Sequence, residues 1–528
     1  MAQALESVSV ASPGFFGINT QQNGIGLDAS WASEAYNSII SKDGGIESRM
    51  GWATVSPLIS GSPRVVQIQE YINGSGTSEL HSCTDNFKIW KGTTSLTDIS
   101  PVVAPTGANW KLVNFNNNSY GFQAAQNPIE YNGTGVYTLI NAGAGFLDSS
   151  DAVIATMKPN ECLAAFGRLW VADAATNKMK VWWSDALLAR QWSGGSSGSL
   201  DLRTVLTKGM DTIVALRAWN GNLVIFLTKN ILIYSGAAVP SSMVLVENIV
   251  GIGCIARDSI QEIGTDIVFL SDTGIRSLGR SIQEKSLPIS DFSKNIRDQL
   301  RNYVTSSDLS KIRSGYSEDN AFYIISIPNT NYTINFTFCF DLRRPLDDGS
   351  YRATVWSGIA PTAIYQARDN ILYLGQPGYL AKYAGYLDNA AKYKMTYYTT
   401  WLDFSIVQEK ISKKIPNYGS YIKMPKKLDT IITTNTQTTL IFKWYFDFSL
   451  TAFTNQVTTP LSVVVAEYNV STSEYNITEF TQGNVTFRVD APLFGSGKIL
   501  KLGMESDING VKVEIQRLDI LAKLGRMT

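Results

Sequence analysis

Asn220-Gly-Asn-Leu-Val-Ile-Phe-Leu227, followed after a three-residue turn by Ile231-Leu-Ile-Tyr-Ser-Gly236, decides the fold class of this 528-residue chain. An Asn-Gly turn precedes one apolar run, and a second run ends in an aromatic residue and a glycine. Runs this short, rich in β-branched residues and bounded by turn residues, read as paired strands. The unit recurs in Gly264-Thr-Asp-Ile-Val-Phe-Leu-Ser-Asp-Thr-Gly-Ile-Arg-Ser-Leu-Gly279 and in Asp369-Asn-Ile-Leu-Tyr-Leu-Gly-Gln-Pro-Gly-Tyr-Leu-Ala-Lys-Tyr-Ala-Gly385. Looser copies span Glu79–Gly92, Ser119–Gly133, Gly167–Ser184 and Glu318–Leu342. Seven hairpins therefore lie between residues 63 and 390, about 45 residues apart, the length of one four-stranded blade. Each hairpin leaves a sheet face uncovered, and stacking blades about an axis covers them all. The expectation is an all-β chain with a β-propeller of about five to seven blades over residues 61–395, enclosing a passive bore. Ordinary hairpins in two or three sandwiches are the rival arrangement.

Two stretches break the pattern. Gln191-Trp-Ser-Gly-Gly-Ser-Ser-Gly-Ser199 is a flexible loop by composition. Residues 289–304 read as a helical insertion, with Phe292, Ile296, Leu300 and Tyr303 on one face and Ser290 as N-cap. From about residue 396 to 528 the runs alternate apolar and polar, for example Thr430–Thr434, Leu440–Phe448, Leu461–Glu467, Asn484–Val489 and Val511–Ala522. That alternation marks half-buried strands and predicts a C-terminal β-sandwich. Residues 1–60, rich in Asn, Gly and Ser, read as an N-terminal arm too polar to fold alone.

The charge pattern narrows the function. Forty-five Lys+Arg balance forty-five Asp+Glu, and only 17% of residues are charged. A phosphate-gripping protein carries a basic excess, and a disordered chain carries a large net charge; this chain has neither. So neutral a surface favours an assembly in which much of it is covered. Cys83, Cys162, Cys254 and Cys339 are widely spaced, so they read as core residues, not as metal ligands or a disulfide framework. The single histidine, His81, reads as a hairpin residue, and a Ser-His-Asp triad has no Gly-x-Ser-x-Gly elbow to join it. No secretory signal opens the chain and no run of apolar residues is long enough to cross a membrane. The Asn-x-Ser/Thr sequences at Asn73, Asn132, Asn331, Asn335, Asn469, Asn476 and Asn484 accordingly read as turns and strands.

Gly495-Ser-Gly-Lys498 lacks the first glycine of a phosphate loop, and Gly251-Ile-Gly-Cys-Ile-Ala256 lacks the third glycine of a dinucleotide turn. Ser271-Asp-Thr-Gly274 is one residue short of the Asp-box of sialidase-type propellers. No catalytic, cofactor-binding or metal-ligating residue is assigned, and no cofactor is expected. Paired carboxylates leave no local signature, so a carbohydrate-binding or carbohydrate-degrading propeller, as in a tailspike or lectin, stays open as the alternative.

Gly26, Leu27, Ala35, Asn37, Gly44, Gly45, Ile46, Arg49 and Gly51, followed by propeller hairpins and the ending Asn509-Gly-Val-Lys-Val-Glu-Ile-Gln-Arg-Leu-Asp-Ile-Leu-Ala-Lys-Leu-Gly-Arg526, resemble the nozzle (tail hub, tail tubular B) proteins of short-tailed bacteriophages. The resemblance covers nearly the whole chain in order of parts. It implies a non-enzymatic virion component of the viral tail: a homo-hexamer that extends the portal and adaptor channel, retains packaged genomic DNA and conducts it on infection. The implied partners are copies of itself, the adaptor or head-to-tail connector protein, a tail fibre or tailspike, needle or plug proteins, and DNA bound without sequence preference. The family's long fibre-docking insertion is absent here. Both ends of the chain are expected to form a platform beside the adaptor. Loss of residues 1–50 would then abolish attachment and leave the propeller folded.

Overall fold

The computed structural model describes residues 7–22, 24, 26–103, 105–107, 109–141, 151–206, 209–284, 291–333, 335–404, 419, 421–460 and 485–527. Seven sheets of strands, in sequence order, form a ring. Blade one is Val65–Ile72, Ser78–Thr84, Ile89–Lys91 and Thr97–Asp98; blade two is Lys111–Phe115, Asn118–Phe122, Ile129–Tyr131 and Thr138–Leu139. Blade three is Pro159–Ala165, Arg168–Ala174, Lys180–Trp183 and Gly198–Asp201; blade four is Ile213–Trp219, Asn222–Leu227, Asn230–Ser235 and Val244–Val250. Blade five has three described strands, Gln261–Ile263, Asp266–Ser271 and Gly274–Ser277. Blade six is Arg313–Ser317, Phe322–Pro328, Asn335–Asp341 and Arg352–Trp356; blade seven begins with Ala363–Gln366, Leu372–Gln376 and Tyr379–Tyr383. All seven hairpins read from the sequence are the second and third strands of a blade.

Each gap between blades is filled by apolar side chains from both faces. Ile225 and Leu232 of blade four meet Trp170 and Val181 of blade three, and Phe226 and Ile231 meet Phe269 of blade five. Val65 and Ile68 of blade one meet Ala363, Tyr373 and Leu380 of blade seven, which closes the ring. These strands are apolar on both faces because both faces are buried, the pattern of a sheet inside a stack.

The N-terminal arm carries strands β1 (Ser7–Ala11), β2 (Ala32–Tyr36), β3 (Ser38–Ile40), β4 (Ile46–Ser48) and β5 (Trp52–Thr54). β5 leaves the arm to become the fourth strand of blade seven, with Ala53 opposite Lys382. β2 inserts between Arg352–Trp356 of blade six and the Tyr393–Thr399 strand, so blade six runs on without a break into a nine-stranded sheet. That sheet continues through Leu500–Ile508, Thr439–Phe446 and Phe453–Thr458. The facing sheet joins β3, β4, Val513–Met527, Tyr421–Thr434 and Val485–Pro492, with β1 also on Val513–Met527. Between the two sheets lie Phe442, Trp444 and Met504 against Leu428, Ile432, Ile515 and Ile520.

The fold therefore is an all-β propeller with a C-terminal sandwich and an N-terminal arm, and four details differ from expectation. The boundaries at 60 and 395 cut through shared sheets, because β5 belongs to the propeller and Tyr393–Thr399 straddles residue 395. Deleting residues 1–50 would remove β2 from the middle of the sheet that joins blade six to the sandwich, so the arm is not the separate piece expected. The α-helix of the insertion starts at Arg297 and ends at Thr305, after a 3-10 turn at Lys294–Ile296. Residues before it are engaged elsewhere: the Ser293 hydroxyl accepts from the Ile275 amide at 3.0 Å, and Asp291 pairs with Arg297 at 2.6 Å. Phe292, Ile296 and Leu300 are buried as the periodicity requires. The fourth difference is the axis, into which side chains of several blades reach. The Ser290 cap, the Leu461–Glu467 run and Asn469, Asn476 and Asn484 lie outside the described residues.

Candidate functional site: a charged axis and an arginine junction

In a propeller the inner strands surround the axis, and here that axis is filled with charge. Arg313 of blade six donates to the Val66 carbonyl of blade one at 3.1 Å and to Asn109, which leads into blade two, at 2.6 Å. Arg257, just before blade five, donates to Asn160 at 2.7 Å, one residue ahead of Glu161 in blade three. Arg217 of blade four donates to Glu161 at 2.9 Å. Bonds between blades that are not neighbours reach across the axis, so among the described residues side chains occupy it at this level of the toroid. That overturns the expected passive bore. The physical reason is that long guanidinium side chains on inner strands reach across a gap that aliphatic side chains would leave open.

Asp258 sits among Arg257 at 2.9 Å, Arg313 at 3.3 Å and Lys111 at 3.5 Å. Burial alone would raise its pKa, but these three cations hold the carboxyl far below its usual range. Burial, followed by the charge of Arg217, pushes Lys111 down from the usual lysine value. Four cations thus meet two carboxylates in a region with almost no solvent. Both carboxylates are engaged by cations, and the groups bonded to them are guanidinium, ammonium and backbone amide groups. A pair of free carboxylates flanking a sugar, as a glycosidase needs, is not what this axis presents.

The second constellation is built from residues of the N-terminal arm. Arg49 is fully buried and uses all five of its N–H donors. Nε bonds Asn37 Oδ1 at 2.9 Å; Nη1 bonds Met50 O and Asp388 Oδ1, both at 2.9 Å; Nη2 bonds Ser357 O at 2.8 Å and Asp388 Oδ2 at 2.7 Å. Its guanidinium carbon lies 4.1 Å from the centre of the Tyr393 ring, whose hydroxyl bonds the Arg49 carbonyl. Asn37, at φ 55°, donates to Ser357 and to the Lys394 carbonyl. One arginine so ties the arm, the end of blade six, the exit from blade seven and the first strand of the sandwich. Gly51 belongs to the same junction, since a Cβ there would stand 1.9 Å from the Leu387 carbonyl oxygen. Ala35 is fully buried and Ile46 pairs with Ile515 in the sandwich. Gly51 sits where the backbones approach closely.

The other singled-out residues are structural. His81 is buried in blade one, stacked on Tyr71 with ring centres 5.4 Å apart and bonded through Nδ1 to the Tyr137 hydroxyl at 3.0 Å. Burial pushes its pKa down to about 3, so it is neutral at pH 7. The four cysteines are free and buried. Gly497 pairs with Lys423 of the Tyr421–Thr434 strand instead of cradling a phosphate. Among the described residues no group of His, Cys, Asp and Glu has the arrangement of a metal site, and no helix is long and apolar enough to cross a membrane. The axial cluster had no sequence signal, because its charged members lie on or just before five different blades.

No family model matches this chain. No curated protein matches it either. Solved structures resemble it only distantly. The extracellular domain of a one-component system protein from B. thetaiotaomicron aligns at 11% identity and TM-score 0.38, over 64% of this chain and 40% of that one. The WD40 domain of Neurospora crassa Pan2 aligns at 10% identity and TM-score 0.34, over 65% of this chain and 97% of that one. At these scores the likeness adds nothing to the fold that the strand register defines.

Proposed function

We propose that this chain is a tail nozzle of a short-tailed bacteriophage: a structural, non-enzymatic virion protein that forms a homo-hexameric ring below the adaptor and passes DNA during ejection. The observation that carries the proposal is the co-folding of both chain ends into one sandwich that is continuous with blade six and supplies the last strand of blade seven. A part that must transmit load between a capsid vertex and a tail needs such a joint. The residues of the resemblance build it, with Arg49 at its centre.

The surface supports assembly. Phe448, Leu450, Phe453 and Phe494 are exposed at one edge of the sandwich, with Leu450 98% exposed. Val244, Val246 and Val250 form a second exposed stripe on the outer strand of blade four. A head-to-tail ring needs two different faces, and exposed apolar patches of this kind mark subunit contacts. Neutral walls suit a conduit, because a basic wall would bind a polyanion by counterion release and hold it back.

Sedimentation and native mass spectrometry of the chain mixed with the adaptor of the same particle test the proposal. Six copies bound as a ring are expected, and Leu450→Asp with Phe494→Asp should reduce ring formation without unfolding the chain. A monomer that stays a monomer in the presence of adaptor would sink it, as would a particle image showing no density for this chain at the genome-exit vertex.

A further inference from the structure

The axial charge cluster is incomplete as it stands, and its deficit has a sign. Lys111, Arg217, Arg257 and Arg313 carry four positive charges against Glu161 and Asp258; Asp173 and Asp308, which act on Arg257 and Arg313 from further out, are paired with Lys178 and Lys311. Side-chain exposures there run from 0% at Glu161 to 18% at Lys111. An excess of two positive charges in such a place is costly unless something anionic offsets it.

The donors divide accordingly. Arg257 and Arg313 are committed to Asp258, Asn109, Asn160 and backbone carbonyls. Lys111 is less committed: its ion pair with Asp258, at 3.5 Å, is too loose to take up three N–H groups, and Glu161 acts on it from further away. Arg217 spends Nη1 on Glu161 and on the Leu216 carbonyl, and among the described residues its Nε and Nη2 make no hydrogen bond. Lys111 and Arg217 stand on blades two and four, on either side of Glu161 in blade three. They are also the more exposed cations of the cluster, with 18% and 11% of their side chains open to solvent.

We infer that this end of the propeller axis is an anion site, in which Lys111 and Arg217 clamp an oxyanion group that solvent can deliver. Charge-assisted bonds from an ammonium and a guanidinium are the strong kind and suit a phosphate or carboxylate. Glu161 limits affinity, since it competes for Arg217. The ligand is either a free inorganic oxyanion or the carboxylate of a partner's acidic segment reaching into the axis; both offer the same oxygens. The inference does not depend on the tail-nozzle proposal.

The test uses the full chain in isothermal titration calorimetry and thermal unfolding. The probes are inorganic phosphate, and a short acidic peptide with its C-terminus free or amidated. Sodium chloride at matched ionic strength is the control. Saturable binding of at least one probe is expected. Lys111→Met should weaken it about tenfold or more. Glu161→Gln should tighten it, because the Arg217 donors are released, and Lys229→Met, at an exposed turn between the second and third strands of blade four, should leave it unchanged. Phosphate alone binding assigns a free oxyanion; the peptide binding at lower concentration, and losing affinity on amidation, assigns a partner's carboxylate. Binding of neither probe overturns the inference, as does an effect that chloride reproduces. If Lys111→Met does not fold, the direction of the Glu161→Gln change decides: weaker or unchanged binding refutes the clamp.

Discussion

Arg49 concentrates more of this protein's architecture than any other residue described. With every donor used and Asp388 as its counter-ion, it has no alternative partner if the geometry shifts. Arg49→Met would leave the Asp388 carboxylate, 10% exposed, without its charge partner. Breaking such a pair costs about 3–5 kcal/mol. A fall in the denaturant midpoint of that order is expected, and Arg49→Lys should recover only part of it, because an ammonium cannot reproduce the planar fork. A second residue-scale prediction concerns acid. Burial alone would raise Glu505, but hydrogen bonds from Lys394, Lys443 and Tyr398 hold its pKa down to about 2. A carboxyl depressed from about 4.3 contributes stability that is complete above that value and lost as pH falls toward 2. Unfolding followed from pH 5 to pH 2 should show that loss, and Glu505→Gln should flatten it. An unchanged acid limb would mean that Glu505 is not held as described.

At the scale of elements, β5 is the closing strand of the ring and is only three residues long. Gly51 lets it approach blade seven, so Gly51→Ala should push β5 off the Tyr379–Tyr383 strand. Hydrogen exchange at residues 379–383 should then rise about tenfold or more while blades two to five keep their protection. The seven central hairpins were legible because each is a local object: two runs and a turn within about twenty residues. The fourth strands were not. Thr97–Asp98 and Thr138–Leu139 are two residues each, with no apolar pattern to see, and the fourth strand of blade seven precedes blade one in the sequence. The helix was legible by its buried face but not by its start. Asp291 and Ser293 serve tertiary bonds that outweigh a weak local preference for one more turn.

At the scale of the whole molecule, the axial charges tie six blades into one unit. Asp258→Asn would leave Arg257, Arg313 and Lys111 facing one another with half their counter-charge removed. A loss of about 3–5 kcal/mol is expected from the same uncompensated-charge argument. Calorimetry should show one cooperative transition moving down, not a single blade melting early. The ring and sandwich share a nine-stranded sheet, so both are expected to unfold together; two well-separated transitions in the unaltered chain would contradict the continuity at β2.

What the sequence by itself determined was the strand-and-turn rhythm, the number of hairpins, the balance of charge and the change of texture toward the C-terminus. Periodicity, turn residues and composition act within a short window of chain, so a short window reveals them. Only the tertiary structure decided which distant edges pair: β5 with blade seven, β2 with blade six, and the two chain ends with each other. It also decided that Lys111, Glu161, Arg217, Arg257, Asp258 and Arg313 meet on one axis. Those outcomes depend on which unsatisfied edges and charges the closed ring leaves within reach, and separation along the chain carries no record of that distance.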